Sequence, residues 1–326
     1  MRSLIAATGS YAPEKVLTNA DLEKLVETND QWIVERTGIR ERHIARADEA
    51  TSDLALQASR RALASAGIAP EDVELIVVGT ITADYPFPSC AAVLQGKLGN
   101  KKAFAFDVSA ACAGSLYALS IADRFVSSGQ VKNALVIGAE SLSKITDWSD
   151  RNTAILFGDA AGAMVLKPTE DPKRGVIATK LHSDGSLVPI LLMPGGGSAD
   201  PISEKVVRER SHFVKMNGRE VFKVAVRALE DVSREVLAVE HLAPSDVNHV
   251  IAHQANKRIL DATLERLGVP PERCWMNLEK YGNTSSASVP MTLDEANRAG
   301  RLQPGDVVLM MGIGAGMAWG ASLVRW

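Results

Sequence analysis

The stretch APEDVELIVV (residues 69–78) returns later in the chain as APSDVNHVIA (243–252), at a shift of 243 − 69 = 174 residues. In both, a helix-breaking Ala-Pro turn with an acidic residue leads into an apolar run. The same shift carries Gly138, in ALVIGAE, onto Gly312, in DVVLMMG, and carries the turn holding Cys112 onto NTSSAS around Ser286. One such match is a common coincidence between helix-loop-strand units. Three in one register predict two related halves. The division is expected in the turn-rich KPTEDPKRG (167–175), with an N-terminal half over 1–170 and a C-terminal half over 171–326.

The runs VELIVVGT (73–80), KAFAFDV (102–108), ALVIGAE (134–140), VNHVIAH (247–253) and DVVLMMG (306–312) read as buried strands. Between them lie helices. SDLALQASRRALASAG begins at the possible cap Ser52 and stops at Gly67. REVFKVAVRALEDVSREVLAV carries Val221, Val224, Ala225, Ala228, Val232 and Val236 at helical spacing. Strands alternating with helices predict an α/β fold with mostly parallel sheets. After Glu140 the register between the halves is lost, so SLSKITDWSDRNTAILFGD (141–159) reads as an insertion, a frequent carrier of function.

Bulk composition narrows the function classes. The chain of 326 residues is 46% hydrophobic and 23% charged with net charge −3, which argues against a nucleic-acid binder. No apolar run approaches the ~18 residues of a membrane span, and the expected location is the cytoplasm. Cys90, Cys112 and Cys274 are odd in number and form no CxxC, so neither a disulfide framework nor a metal site is expected.

Ligands of α/β sheets bind beyond the carboxyl ends of the strands, which singles out three residues. Cys112 follows KAFAFDV and opens a helix, whose free N–H groups and dipole are expected to lower its thiol pKa. Taken alone, a cysteine among alanines is more often inert packing. His253 ends VNHVIAH and precedes a helix, where a neutral imidazole can exchange a proton. Asn283, in YGNTSSAS, matches Ser109 under the repeat, so its turn should face that of Cys112. A nucleophile, a base or donor, and a neutral amide together fit covalent acyl transfer. A papain-like Cys-His-Asn hydrolase uses the same residue types, but the duplicated α/β pattern fits it poorly. The glycines of GIGAGMAWG (312–320) suit either a tight turn or an oxyanion hole. Lys257 and Arg258 begin a helix whose dipole they oppose, which an external anion would resolve. Arg36, Arg40 and Arg42, with Trp32 just before them, suit the phosphates and base of a nucleotide.

DVSAACAG (107–114), GDAAGA (158–163), NGREVFKVAV (217–226), HQAN (253–256) and YGNTSSAS (281–288) resemble the beta-ketoacyl-[acyl-carrier-protein] synthase III family. The likeness runs from ATGSYAPEKVLTN (7–19) to WGASLVRW (319–326). It implies a thiolase-like α/β fold, two duplicated halves in five αβαβα layers, usually in a homodimer. It also implies decarboxylative condensation of an acyl-CoA with malonyl-acyl carrier protein, without a cofactor. By position, Cys112 resembles the acyl-accepting nucleophile, and His253 and Asn283 the pair polarising the malonyl thioester. Gly316 resembles the residue completing the oxyanion hole with the Cys112 N–H. Trp32, Arg36, Arg151 and Asn256 fall at CoA-binding positions, and Phe87 where a side chain reaches the partner subunit's acyl pocket. Lys223, Lys257 and Arg258 fall where the family docks acidic carrier protein. Asn152 replaces a familiar glycine and Met317 an aromatic residue, both departures that bear on pocket shape. A starter-unit ketosynthase or acyltransferase of a polyketide or branched-chain pathway is the alternative.

Overall fold

Each Ala-Pro turn feeds a strand because the apolar run behind it is buried on both faces. In the computed structural model, which describes all residues 1–326, Pro70–Asp72 and Pro244–Asp246 each form a 3₁₀ turn. Proline stands in the first turn of both, where the N–H it lacks would be unused. The first sheet contains β1 (Arg2–Tyr11), β2 (Leu75–Gly79), β3 (Phe104–Val108), β4 (Ala134–Glu140) and β5 (Ala160–Thr169), in the order β1-β5-β4-β2-β3. The second contains β6 (Gly175–Ser183), β7 (His249–Ala252), β8 (Val307–Gly314) and β9 (Ala318–Arg325), in the order β7-β8-β9-β6. A lone parallel bridge between Val250 and Cys274 stands where the second sheet would carry its fifth strand.

Both sheets are mixed, which corrects the expectation of mostly parallel pairing. β4-β2-β3 and β7-β8 run parallel, whereas β1-β5-β4 and β8-β9-β6 run antiparallel. β1, β5, β6 and β9 are not legible as strands because several of their positions are alanine and glycine, weak in strand propensity. Those small residues have a packing reason: a Cβ on Gly162 would lie 2.4 Å from the Met291 nitrogen.

Seven longer helices matter for the layers: α1 (Asp30–Thr37), α2 (Thr51–Ala66), α3 (Cys90–Lys97), α4 (Gly114–Ser127), α5 (Gly218–Ala238), α6 (Lys257–Leu267) and α7 (Ser288–Arg298). α2 and α3 cover the outer face of the first sheet, and α5 and α6 that of the second. α4 and α7 lie between the sheets, where Leu116, Leu119, Val289 and Leu293 meet Val77, Val136, Ile251 and Val308 in one core. The order is helix, sheet, helix, sheet, helix.

The backbone repeats with the sequence. Gly67 and His241 are both left-handed (φ 63° and 55°), as are Ala111 and Ser285 (φ 44° and 50°). The 3₁₀ turns Ala111–Ala113 and Ser285–Ala287 open α4 and α7, and their elements touch at the centre of the molecule. Glycine permits that approach: a Cβ on Gly138 would lie 2.0 Å from the Ser286 carbonyl oxygen. Gly138→Ala is therefore expected to destabilise the fold by at least ~1–3 kcal/mol, as overpacking does, because backbone rather than a flexible side chain stands in the way. Thermal unfolding checks this, and an unchanged midpoint would contradict the packing described.

The segment between β4 and β5 forms a 3₁₀ turn, Leu142–Lys144, and a short helix, Arg151–Ala154. Its Leu142, Ile155, Leu156 and Phe157 bury against Leu22, Ile33, Ile39 and Val214 in a separate apolar cluster. That cluster forms one wall of the site.

Candidate active site

Cys112 sits in the middle of the 3₁₀ turn between β3 and α4 and is 9% exposed. The end of β8 presses on it: a Cβ on Gly314 would lie 2.4 Å from the Cys112 nitrogen. Burial pushes the thiol up to about 12, against the lowering expected from a helix N-terminus. The reason is desolvation of a thiolate in an apolar chamber, with the nearby Glu140 carboxylate adding to it. The resting side chain is a neutral thiol that must pass on its proton to react.

His253 follows β7, its backbone N–H donating to the Met311 carbonyl at 2.7 Å. Burial pulls its imidazole down to about 3, so the ring is neutral. Nδ1 lies 2.7 Å from Ser288 Oγ, and Ser288 Oγ lies 2.9 Å from the Ser285 carbonyl oxygen. The single Ser288 proton can serve one of these at a time. Directed at Nδ1, it places the ring proton on Nε2; directed at Ser285, it leaves Nε2 a lone pair.

Asn283 is held by the insertion. Its N–H donates to Leu156 O at 2.8 Å, and its carbonyl accepts from Gly158 N–H at 3.0 Å. Its side-chain Oδ1 accepts from the Ser285 N–H at 2.9 Å, which assigns Nδ2 as the free donor.

Three cavities lead through the molecule. A narrow one of about 130 Å³ is lined by Cys112, His253 and Asn283 together, with Phe157, Phe222 and Met317 among its walls. Beyond Cys112 it shares Phe157 and Leu191 with a mainly apolar chamber of about 590 Å³, lined also by Leu142, Val214, Ser285 and Gly316. Gly316 has φ 103°, a conformation that favours glycine. Toward the surface the narrow cavity shares Leu156, Phe222 and Asn256 with an open cleft of about 470 Å³, where Trp32, Arg36, Asn152 and Arg258 also stand.

At that cleft Trp32 has the guanidinium of Arg36 at 4.4 Å and that of Arg151 at 5.0 Å from its ring centroid. Asn256 spends both ends of its amide on structure, donating to the Arg36 carbonyl at 3.0 Å and capping α6 through Arg258 N–H at 2.9 Å. Lys257 pairs with Asp261 at 2.6 Å, so its charge is already answered without the external anion expected for it. Lys223 pairs with Glu220 at 2.8 Å, and Arg258 lies 5.8 Å from the Phe222 ring centroid. Arg42 does not belong to the cleft. It is 0% exposed and donates to the carbonyls of Leu17 and Ile155 and to Asn19 Oδ1. Arg40 pairs with Glu279 at 2.9 Å. Phe87 is 86% exposed and lines none of these three cavities.

Sequence reasoning passed over Glu140, Ser285 and Ser288. Glu140 had a usable signal, being a charged residue that closes a wholly apolar strand. The two serines had none, because their partners are distant in sequence: Ser285 meets Glu140 of the other half, and Ser288 meets His253, 35 residues away.

This layering, with a cysteine between two duplicated sheets, is that of a thiolase-like condensing enzyme. The family described as 3-Oxoacyl-[acyl-carrier-protein (ACP)] synthase III matches residues 106–185, and its C-terminal part matches residues 237–326. A beta-ketoacyl-[acyl-carrier-protein] synthase III of Desulfitobacterium hafniense is 51% identical over 322 residues, covering 99% of this chain and 97% of that protein. The crystal structure of 3-oxoacyl-[acyl-carrier-protein] synthase III from Aquifex aeolicus superposes with a TM-score of 0.93 at 47% identity, covering 99% of this chain and 100% of that one. The priming beta-ketosynthase of a polyketide biosynthetic pathway superposes with a TM-score of 0.91 at 37% identity, covering 99% and 96%. The chain belongs to the beta-ketoacyl-[acyl-carrier-protein] synthase III family and is an acyltransferase.

Proposed function

We propose that this chain condenses an acyl-CoA starter with malonyl-acyl carrier protein, giving a β-ketoacyl-carrier protein, CO2 and CoA, through an acyl-Cys112 intermediate. The observation that carries this reading is that Cys112, His253 and Asn283 line one narrow cavity between an open cleft and an apolar chamber. Cys112 sulfur attacks the acyl-CoA thioester, and the backbone N–H groups of Cys112 and Gly316 hold the oxyanion. CoA leaves, and the acyl chain lies in the apolar chamber. The malonyl thioester then enters, and its carbonyl accepts from Asn283 Nδ2 and from His253 Nε2, protonated there when Ser288 donates to Nδ1. Loss of CO2 leaves an enolate on that oxygen. Its carbon attacks the acyl-cysteine, forming the C–C bond and releasing the Cys112 thiolate. No step calls for a resident cofactor.

Trp32 and its flanking Arg36 and Arg151 suit the CoA adenine and phosphates, with Asn256 beside the pantetheine arm. Trp32→Ala is expected to raise the acyl-CoA KM about 5- to 30-fold, equivalent to ~1–2 kcal/mol of cation–π and stacking contact. kcat should stay within a few-fold, since this binding is remote from the reacting atoms. Steady-state kinetics over an acyl-CoA series test it, and a fall in kcat at unchanged KM would remove Trp32 from the binding cleft. Arg258, Lys223 and Lys257 form the docking spot for acidic carrier protein, the lysines exchanging their own helix partners for it. A homodimer is supported by two surface features: the exposed Phe87, suited to reach a second copy's acyl chamber, and the half-exposed edge strand β3, where Phe104 stacks on Phe106. The halves meet at the turn between β5 and β6, and the enzyme works in the cytoplasm.

A second reading, a starter-unit ketosynthase of a polyketide or branched-chain pathway, is favoured by the chamber itself. A two-carbon acyl group would leave most of about 590 Å³ unfilled, and unfilled apolar space forfeits dispersion contacts. The mass of Cys112 acylated from acetyl-, isobutyryl- and longer acyl-CoA separates the readings.

A further inference from the structure

Glu140, the last residue of β4, is fully buried and makes no ion pair. Its two oxygens are met by donors alone: Thr80 Oγ1 at 3.1 Å, Ile81 N at 3.2 Å and Thr82 Oγ1 at 2.5 Å from one half, Ser285 Oγ at 3.2 Å and Ser286 Oγ at 3.0 Å from the other. A buried carboxylate without a cation is costly, and it sits here one hydroxyl away from the reactive cysteine. Ser285 is that hydroxyl. It lines the chamber with Cys112, its hydroxyl lowers the proton affinity of the Cys112 thiol, and it is held in the left-handed region at φ 50°, an uncommon conformation for a residue other than glycine.

We propose that Ser285 and Glu140 take up the proton of the Cys112 thiol during acylation, and this rests on the acyl-Cys112 reading above. As sulfur bonds to the acyl carbon, its proton passes to Ser285 Oγ while the Ser285 proton passes to Glu140 Oε1. The C–S bond to CoA breaks, and the departing thiolate takes a proton from water. In the condensation the Cys112 thiolate is expelled, and Glu140 returns the stored proton through Ser285. One proton is consumed overall, as loss of CO2 from a carboxylate requires. The path leaves His253 and Asn283 free to act as donors. Proton affinities agree with this division. Burial raises Glu140 to about 7, whereas it lowers His253 to about 3, so the carboxylate is the stronger base of the two. The titratable groups around Glu140 are Cys112 on its turn and Cys90 on α3, both driven toward the neutral thiol, with Asp84 and Asp107 acting on Cys90.

The test is the rate of Cys112 acylation by acyl-CoA as a function of pH, read by mass, for wild type, Glu140→Gln and Ser285→Ala. In the wild type the rate should rise through about pH 7, as Glu140 ionises. Both variants should lose that step and acylate about 10²-fold more slowly, within the range of a general base. Malonyl decarboxylation, measured in a Cys112→Ala background that needs no thiol proton, should change no more than a few-fold. Glu140→Asp should restore the pH step in part. A wild-type rate and profile in Glu140→Gln would overturn the proposal, as would equal loss of acylation and decarboxylation, which marks a purely structural turn. If Glu140→Gln fails to fold, the smaller Ser285→Ala change carries the same test. Absence of any acyl-Cys112 in the wild type would instead overturn the underlying reading.

Discussion

In Cys112→Ala, transfer of label from radioactive acyl-CoA to the protein should vanish, and condensation should fall by at least ~10⁴-fold, the scale seen when a nucleophile is deleted. The fold should survive. One sulfur is removed from a turn that stands between a chamber and a narrow cavity, so the loss is a small-cavity cost of ~1 kcal/mol. Because His253 and Asn283 remain, slow release of CO2 from the malonyl thioester should persist, separating a missing nucleophile from a collapsed site. Label that stays on the alanine variant would sink the covalent assignment.

Asn283→Ala should have the opposite profile: acylation of Cys112 close to wild type, condensation with malonyl-carrier protein down about 10²- to 10³-fold. That corresponds to ~3–4 kcal/mol of lost oxyanion stabilisation. Alanine also frees the Ser285 N–H from Oδ1, so a second variant is needed. Asn283→Asp keeps that acceptor and replaces only the Nδ2 donor, while adding a charge that repels the enolate. It should acylate normally and condense at least as poorly as alanine. Rapid-quench measurement of the two half-reactions decides the matter, and equal losses in both would refute the division of labour between Cys112 and Asn283.

Several of these residues could be found without coordinates. A strand-end position marks Cys112 and His253, and the 174-residue repeat marks the turn of Asn283, because duplicated halves bring equivalent turns together. The same pattern is present in the backbone, where Ala111 and Ser285 share a left-handed conformation. The strands poor in β-branched residues were lost for the opposite reason. Gly162 and its alanine neighbours are small so that α7 can approach, which is a property of the contact and not of local propensity. The thiol shift was misjudged on similar grounds: a helix N-terminus is visible in a sequence, but the apolar walls that desolvate Cys112 come from distant segments.

Periodicity, the Ala-Pro turns and the constant shift determined by themselves that the chain has a duplicated α/β fold, because each is a local pattern repeated in register. Tertiary structure alone decided what surrounds the cysteine. Glu140 meets Ser285 across 145 positions of chain and across the two halves, and His253 meets Ser288 across 35 within the second half, so the groups that set proton positions are neighbours only after the chain has packed.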